Sequence, residues 1–475
     1  MYFATVLLLL ACAIHCVYSA VTPVALLEAE WQRYVTRVQR ELTPLQTLLR
    51  EFSATKEASP CDENDHCEDH QSTLSPTTPN AFEEHLQHRV NSIEAAIQLN
   101  GQFISTFADV MLLHRRLQQD IDDDVLDEDT ELLKGSPYWV RLEDTPPLHW
   151  RSCQGDGEDG EGLVGGGGYT SVDELFAHLH RDYGRAADDG ESRHRAAVVE
   201  AVRHIYSLHG QREEGGVGHH QHAMWRRGSI LVLGSGTGGL VADLRAYLLG
   251  GVLPNDEITI TATECSLLFA AAAAAILSLP VVDPLATSFV TLVPWVSNFG
   301  GAIEGDTTDH LYRTTLYSPA RLPHNDHLGG GGQGSAAVRV QVVVADALSP
   351  RGNVAAAGAA AAQQAAVVVT YYFIDAATSS SSYRYPRGIL SVLDRIAQLC
   401  VPGGYWVHVG PLHYHRADTY PKLSVKDIEL YMTHVHNFRR IDDVVVLPQE
   451  DYSRPNTTSL FVNAHRAVRL VMQRH

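Results

Sequence analysis

Apolar residues recur along this chain with two different periods, and the change from one to the other divides it. From Ala25 to Glu51 they fall at helical spacing (Leu26, Trp31, Val35, Val38, Leu42, Leu45, Leu49), with Pro44 placed to bend or break the helix. Residues 54–80, rich in Ser, Thr, Pro and Asp, read as a linker. The helical stripe returns between Phe82 and Leu117 through Val90, Ile93, Ile97, Phe103, Phe107, Val110 and Leu113. Acids dominate from Asp120 to Asp129, the pattern of a solvated loop. Residues 153–168 are Gly- and Asp-rich, a composition that buries too little to fold. Ser171 to His209 is helical again and opens on Ser171-Val-Asp-Glu174, the spacing of a capping box.

Beyond residue 229 the period shortens. Ile230 to Leu233 are four apolar residues in a row, a short buried strand. Gly234, Gly236 and Gly238 follow at once, and then a helical stripe through Leu240, Val241, Leu244 and Leu248. Residues 257–264 alternate through Ile258 and Ile260 and end in Glu264. Residues 338–346 and 366–375 are Val-rich and end in Asp346 and Asp375; such runs fit parallel strands buried on both faces. A helix from Leu390 to Leu399 runs into Val401-Pro-Gly-Gly404, a helix stop that leads into another strand. The whole predicts an α/β fold behind an N-terminal helical region. Residues 215–222, 329–334 and 355–366 read as low-complexity insertions.

Candidate chemistry starts at the glycines. A strand that turns on glycine into a helix lets a ligand approach the backbone, and the helix start offers free N–H groups. Such turns also serve as plain structural punctuation. Glu264 shifts the balance, because a carboxylate at the tip of the second strand can accept from both hydroxyls of a ribose. A nicotinamide enzyme shares this arrangement, so hydride and methyl transfer both stay open here.

Composition narrows the partners. Lys and Arg number 36 against 56 Asp and Glu, a net charge of −20 in 475 residues. An acidic chain without long basic clusters is poorly suited to phosphate backbones, which argues against nucleic-acid substrates. Apolar residues make up 45%, enough for a large core. The seven cysteines suggest no disulfide framework. Cys61 and Cys67 flank an acidic stretch, and His219-His-Gln-His222 lies among glycines; neither has the second pair a zinc site wants, so no metal is expected. His413 and His415 also lack a third ligand nearby. Residues 2–20 look like a secretory signal but carry no Lys or Arg ahead of the apolar run; an apolar N-terminal helix or an over-extended gene start is the alternative. The run is short for a membrane span. Asn456-Thr-Thr458 forms a sequon, a triplet common by chance.

Several ordered segments resemble the carnosine N-methyltransferase family. They are His178-Leu-His-Arg-Asp-Tyr183 with Glu191-Ser-Arg193, Val293-Pro-Trp-Val-Ser-Asn-Phe299, Tyr371-Tyr-Phe-Ile-Asp-Ala-Ala377, Val401-Pro-Gly-Gly404 and Val409-Gly-Pro-Leu-His-Tyr-His415. The resemblance implies a Rossmann-like, seven-stranded methyltransferase sheet that uses S-adenosyl-L-methionine. It divides the chain into a signal-like segment (1–20), an N-terminal helical region (21–150) and a methyltransferase domain (169–475). On this reading Gly234, Gly236 and Gly238 face the methionine part of the cofactor, and Glu264 takes the ribose. Asp346 takes the adenine amino group with Ala347 beside it, and Arg181 pairs with the cofactor carboxylate. Asp375 and His415 correspond to family residues that contact a histidine-containing dipeptide. Implied partners are a small-molecule or peptide substrate and a second copy of the chain in a homodimer, with neither nucleic acid nor a stable membrane span. The family points to the cytoplasm, residues 1–20 to the secretory route.

Three departures stand against the resemblance. His178 replaces a family glutamine. The stretch from Arg454 to Val462 lacks the tyrosines that help hold the dipeptide, and Ser379 to Tyr383 is inserted. A rival reading is therefore a degenerate methyltransferase fold that binds without catalysing. A nicotinamide oxidoreductase is a further rival, for which Val401-Pro-Gly-Gly404 is atypical.

Overall fold

The computed structural model describes residues 22–57, 79–123, 139–143, 171–184, 192–210, 228–249, 257–282, 288–293, 314–317, 337–345, 364–377, 388–414, 421–451 and 464–475. Two long helices come first, α1 (Pro23–Glu57) and α2 (Pro79–Asp122). Then come β1 (Val140–Glu143), α3 (Val172–Tyr183) and α4 (Arg193–Gly210). The alternating part holds β2 (Ser229–Leu233), α5 (Gly239–Leu249), β3 (Glu257–Glu264), α6 (Leu267–Val282), β4 (Ser288–Leu292), β5 (Thr314–Tyr317), β6 (Ala337–Val344) and β7 (Ala365–Tyr371). A single turn α7 (Ile374–Ala377), α8 (Ile389–Leu399), β8 (Cys400–Gly410), α9 (Val425–His436), β9 (Phe438–Arg440), β10 (Val445–Asp451) and β11 (Ala464–Arg474) complete it.

The strands form a nine-stranded sheet in the order β1-β6-β3-β2-β7-β8-β11-β10, with β9 also paired to β11. From β1 to β8 all neighbours are parallel; β11 is antiparallel to β8, β10 and β9. The expected seven strands are thus corrected to nine. Seven run from β6 to β10, and two short ones extend them. At one edge β1 aligns Val140 with Val340, while β9 folds back after α9 to set Met472 opposite Arg440. Strands of four and three residues hold too little alternation to be read from sequence.

Helix α2 seals the outer edge of β1. The Gln118 amide donates to the Leu142 carbonyl (2.6 Å) and accepts from the Leu142 N–H (2.9 Å). His114 Nε2 lies 2.8 Å from the Val140 carbonyl oxygen, and the Val140 N–H donates to Ser278 Oγ. A side-chain amide here replaces the next strand, which closes an edge otherwise open to pairing. The N-terminal helices also share a core with α3 and α6, through Tyr34, Phe103, Phe107, Phe176 and Phe269. Asn100 clasps both backbone groups of Val293. Helix α1 continues through Pro44, where Thr43 donates its hydroxyl to the Gln39 carbonyl.

The sheet centre follows the Val runs. All seven residues of β7 are buried, as expected of a strand covered on both faces. Val401-Pro-Gly-Gly404 falls inside β8, where the register with β7 slips between Ala365 opposite Cys400 and Val367 opposite Tyr405. Gly403 sits there at φ +81. No described helix is long and apolar enough to cross a membrane. Residues 1–20, Cys61 to Cys67, His219 to His222 and the low-complexity stretches from 215 to 222 and 329 to 334 lie outside the described residues.

Candidate active site

The chain leaves β2 to one side for β3 and β6, then crosses back to β7 on the other. Ligand crevices of open α/β sheets form where the strand order reverses in this way, outside the carboxyl ends of the strands. That is where the glycine loop lies. Gly234 (φ +65), Gly236 (+57) and Gly238 (+91) all adopt left-handed backbone, which other residues reach only with strain. A Cβ on Gly234 would strike the Phe373 ring at 2.4 Å, and one on Gly236 would meet His178 Nδ1 at 3.1 Å and Arg181 Nη2 at 3.4 Å. The loop is therefore roofed by α3 on one side and by the segment after β7 on the other.

Glu264 ends β3 and turns straight onto this loop. Its Oε2 accepts from the Gly236 N–H and its Oε1 from the Ser266 N–H, each at 2.9 Å. Burial pushes its carboxyl above the ordinary glutamate value, against the pull of those backbone donors. The Ala345 N–H, at the end of β6, donates to the Glu264 carbonyl (3.0 Å), so β6 ends beside it. Asp346 and Ala347 follow directly and lie outside the described residues. The Ser235 hydroxyl is buried in the loop with no hydrogen-bond partner among the described residues. Glycine backbone that a side chain would fill, an acid at the second strand tip and a buried hydroxyl awaiting a partner together fit a nucleoside-bearing ligand.

Helix α3 brings Arg181 over Gly236. Its Nε donates to Asp182 Oδ1 (2.8 Å), and its Nη2 donates to His178 Nδ1 (3.2 Å). Burial and the Arg181 charge push the His178 imidazole down to about 3, so it stays neutral and accepts. The residue that departs from the family pattern is thus the one that braces the arginine.

Asp182 lies within the quoted segment His178–Tyr183, where the sequence assigns it no role. Its Oδ2 accepts from the Thr237 hydroxyl (2.6 Å) and from the Gly239 N–H at the start of α5 (3.3 Å). Arg195 of α4 lies 3.8 Å from Oδ1, also donates to the Asp182 carbonyl, and pairs with Asp243. Burial alone would raise this carboxyl; the Arg181 and Arg195 charges and the Thr237 hydroxyl overcome it and hold it well below the usual range. Tyr183 donates its hydroxyl to the Thr237 carbonyl (2.7 Å). The only sequence signal was an acid beside an arginine; its partners are distant in the chain.

Beyond β7 the chain kinks at Tyr372 and enters α7, which carries Asp375, 2% exposed. Asp375 is close enough to Tyr414, at the end of the strand β8 segment, for its charge to raise the Tyr414 phenol, after burial as the larger cause. Tyr414 in turn donates to the Leu423 carbonyl (2.7 Å). His415, the next residue, lies outside the described residues, as do residues 452–463 with the tyrosine-poor stretch and the whole Ser379–Tyr383 insertion. Arg181, the three glycines and Glu264 are therefore brought together at one edge, with Asp375 on the neighbouring strand end.

A family model described as carnosine N-methyltransferase matches residues 169–475. No curated protein matches the chain. Among solved structures, it is similar to one described as a class I S-adenosylmethionine-dependent methyltransferase from Listeria monocytogenes, at 10% identity, covering 82% of this chain and 88% of that one, with a TM-score of 0.31. It is also similar to magnesium protoporphyrin IX methyltransferase from Synechocystis, solved with bound S-adenosylmethionine, at 10% identity, 63% and 91% coverage and a TM-score of 0.30.

Proposed function

The chain belongs to the carnosine N-methyltransferase family, a family of S-adenosyl-L-methionine-dependent enzymes, and from that premise we propose that it methylates an imidazole nitrogen of a histidine-containing dipeptide or a related small amine. The single observation that carries the reading is the Glu264 carboxylate seated 2.9 Å from the Gly236 N–H, where the strand order reverses.

S-adenosyl-L-methionine supplies an activated methyl group, so the chain's own residues have only to bind, orient and exclude water. Gly234, Gly236 and Gly238 let a ligand lie against backbone. Glu264, already held by backbone N–H groups and the Cys265 side chain, is assigned the ribose hydroxyls. Asp346 and Ala347 follow β6, which ends next to Glu264, and are assigned the adenine. Arg181, braced by His178 and Asp182 above Gly236, is assigned the amino-acid carboxylate.

On the acceptor side, a carboxylate at Asp375 that accepts from one imidazole N–H turns the other ring nitrogen, with its lone pair, outward. His415 is assigned a second contact or the proton released as the methylated ring returns to neutrality. The tyrosine-poor stretch from 454 to 462 supports one alternative, a member that holds the cofactor without transferring. The test is a methyl-transfer screen of imidazole dipeptides and small amines with labelled cofactor, read by mass spectrometry, beside titration calorimetry with S-adenosylmethionine. Methylated product on an imidazole supports the proposal. Cofactor binding without product from any acceptor would favour the alternative.

A further inference from the structure

The turn after β7 is held by residues that the proposed chemistry does not use. Tyr372 sits at φ +50, one of two non-glycine residues with left-handed backbone among those described. An aromatic residue there costs on the order of 1 kcal/mol or more and persists only where its surroundings impose it. Its N–H donates to the Val409 carbonyl (2.9 Å), and Gly410 makes room: a Cβ there would come within 3.2 Å of the Tyr372 backbone.

The side chain is held as firmly. The Tyr372 hydroxyl lies 2.8 Å from His194 Nδ1. His194 is fully buried on α4, and its Nε2 lies 2.7 Å from the Pro448 carbonyl oxygen. A carbonyl only accepts, so Nε2 carries the ring proton. In a ring with one proton, Nδ1 then accepts, and the tyrosine donates. The Glu450 carboxylate fixes the start of α4 by accepting from the Ser192 hydroxyl (3.0 Å) and the His194 N–H (3.2 Å). Strand β10 and helix α4 are thus joined to the kink through one imidazole. The two residues that follow the kink on the ligand side are Phe373, against Gly234, and buried Asp375.

We propose that His194 is a positioning residue: by holding the Tyr372 hydroxyl it fixes the kink that lays Phe373 against the glycine loop and buries Asp375, and so sets cofactor affinity. The inference rests on reading this edge as the methyl-transfer site and deepens that reading. Tyr372→Phe deletes one hydroxyl and keeps the ring. His194→Leu removes both bonds. His194→Gln restores an acceptor and a donor on a planar group of similar reach.

The test measures S-adenosylhomocysteine binding by calorimetry on the full chain, with melting temperature and deuterium exchange of residues 373–377 alongside. Tyr372→Phe and His194→Leu should weaken binding about tenfold or more, and speed exchange in that segment. His194→Gln should stay within about threefold of the unaltered chain. Unchanged binding in Tyr372→Phe and His194→Leu would overturn the proposal. So would equal weakening in all three variants with a matching fall in melting temperature, since that marks a structural role alone. If the unaltered chain binds S-adenosylhomocysteine but methylates no imidazole dipeptide, the acceptor assignment fails while the binding series still decides this inference.

Discussion

Two buried carboxylates grip the glycine loop, and they are satisfied in different ways. Asp182 reaches it from α3, Glu264 from β3. Asp182 accepts from a guanidinium, a hydroxyl and an N–H, with a second guanidinium at 3.8 Å. Glu264 is answered by backbone N–H groups and the Cys265 side chain, with no arginine beside it among the described residues. The consequence is opposite charge behaviour: Asp182 is held below the usual carboxylate range and Glu264 above it. An acid with its charge fully met by arginines is a structural clamp. An acid met by neutral donors retains acceptor capacity toward whatever enters the crevice.

The sharpest way to break this contrast is to delete the clamp. Asp182→Ala takes the shared carboxylate away from Arg181 and Arg195, leaves Arg195 only its pairing with Asp243, and strips the cap from α5. We expect a loss of about 3–5 kcal/mol in denaturant unfolding, because removing one member of a buried charged network strands the other. A loss below that of Glu264→Ala would reverse the assignment of clamp and ligand acceptor.

The second variant addresses binding. Glu264→Ala should weaken S-adenosylmethionine affinity by about 10–100-fold, the worth of hydrogen bonds from hydroxyls to a charged acceptor, about 1.5–3 kcal/mol. It should also cost some stability, since the Gly236 and Ser266 N–H groups lose their acceptor. Calorimetry and melting separate the two effects; unaltered affinity removes Glu264 from the ligand site.

The contrast also explains which features could be read in the sequence. The glycine loop, Glu264 and the Val-rich strands carry local signals: punctuation, a terminal acid and an uninterrupted apolar run. Asp182 carries only an acid beside an arginine, because its role depends on Thr237 and Gly239, which only the fold brings near. Strand β1 was hidden for a related reason. Val140-Arg-Leu-Glu143 has no pattern of its own and becomes a strand through Val340 on one side and Gln118 on the other. His194 was likewise invisible, since its partners Tyr372, Pro448 and Glu450 are all distant in sequence. Long-range polar contacts, unlike apolar periods, leave no mark on spacing.

A smaller effect tests how tightly the loop is roofed. Gly234 and Gly403 both have positive φ, but a Cβ on Gly234 would strike Phe373, whereas nothing lies within 4 Å of one on Gly403. Gly403→Ala should therefore cost only the backbone term, about 1–2 kcal/mol. Gly234→Ala should cost that plus displacement of the Phe373 ring, and should lower cofactor affinity as well. Equal costs, with affinity intact in both, would mean that Phe373 moves freely and does not shape the crevice.

The last expectation uses acid to tell the two carboxylates apart without mutation. Asp182 has a folded value below its ordinary 3.8, so its contribution to stability is present above 3.8 and is lost only as pH falls through that lower folded value. Glu264 has a folded value above 4.5, so it takes up its proton while the unfolded chain's glutamate is still ionised. Its stabilising contribution grows on acidification and is lost as pH rises through the folded value. As pH falls through that raised folded value, still above 4.5, Asp182 stays charged and the clamp stays shut, while Glu264 goes neutral and loses the acceptor charge that ribose hydroxyls need. S-adenosylmethionine affinity should weaken across this step, with the loop still folded, and Glu264→Gln should abolish the step because an amide does not titrate there. A step that survives in Glu264→Gln would assign the proton to another group; affinity flat down to 4.5 would show that Glu264 does not accept from the ligand.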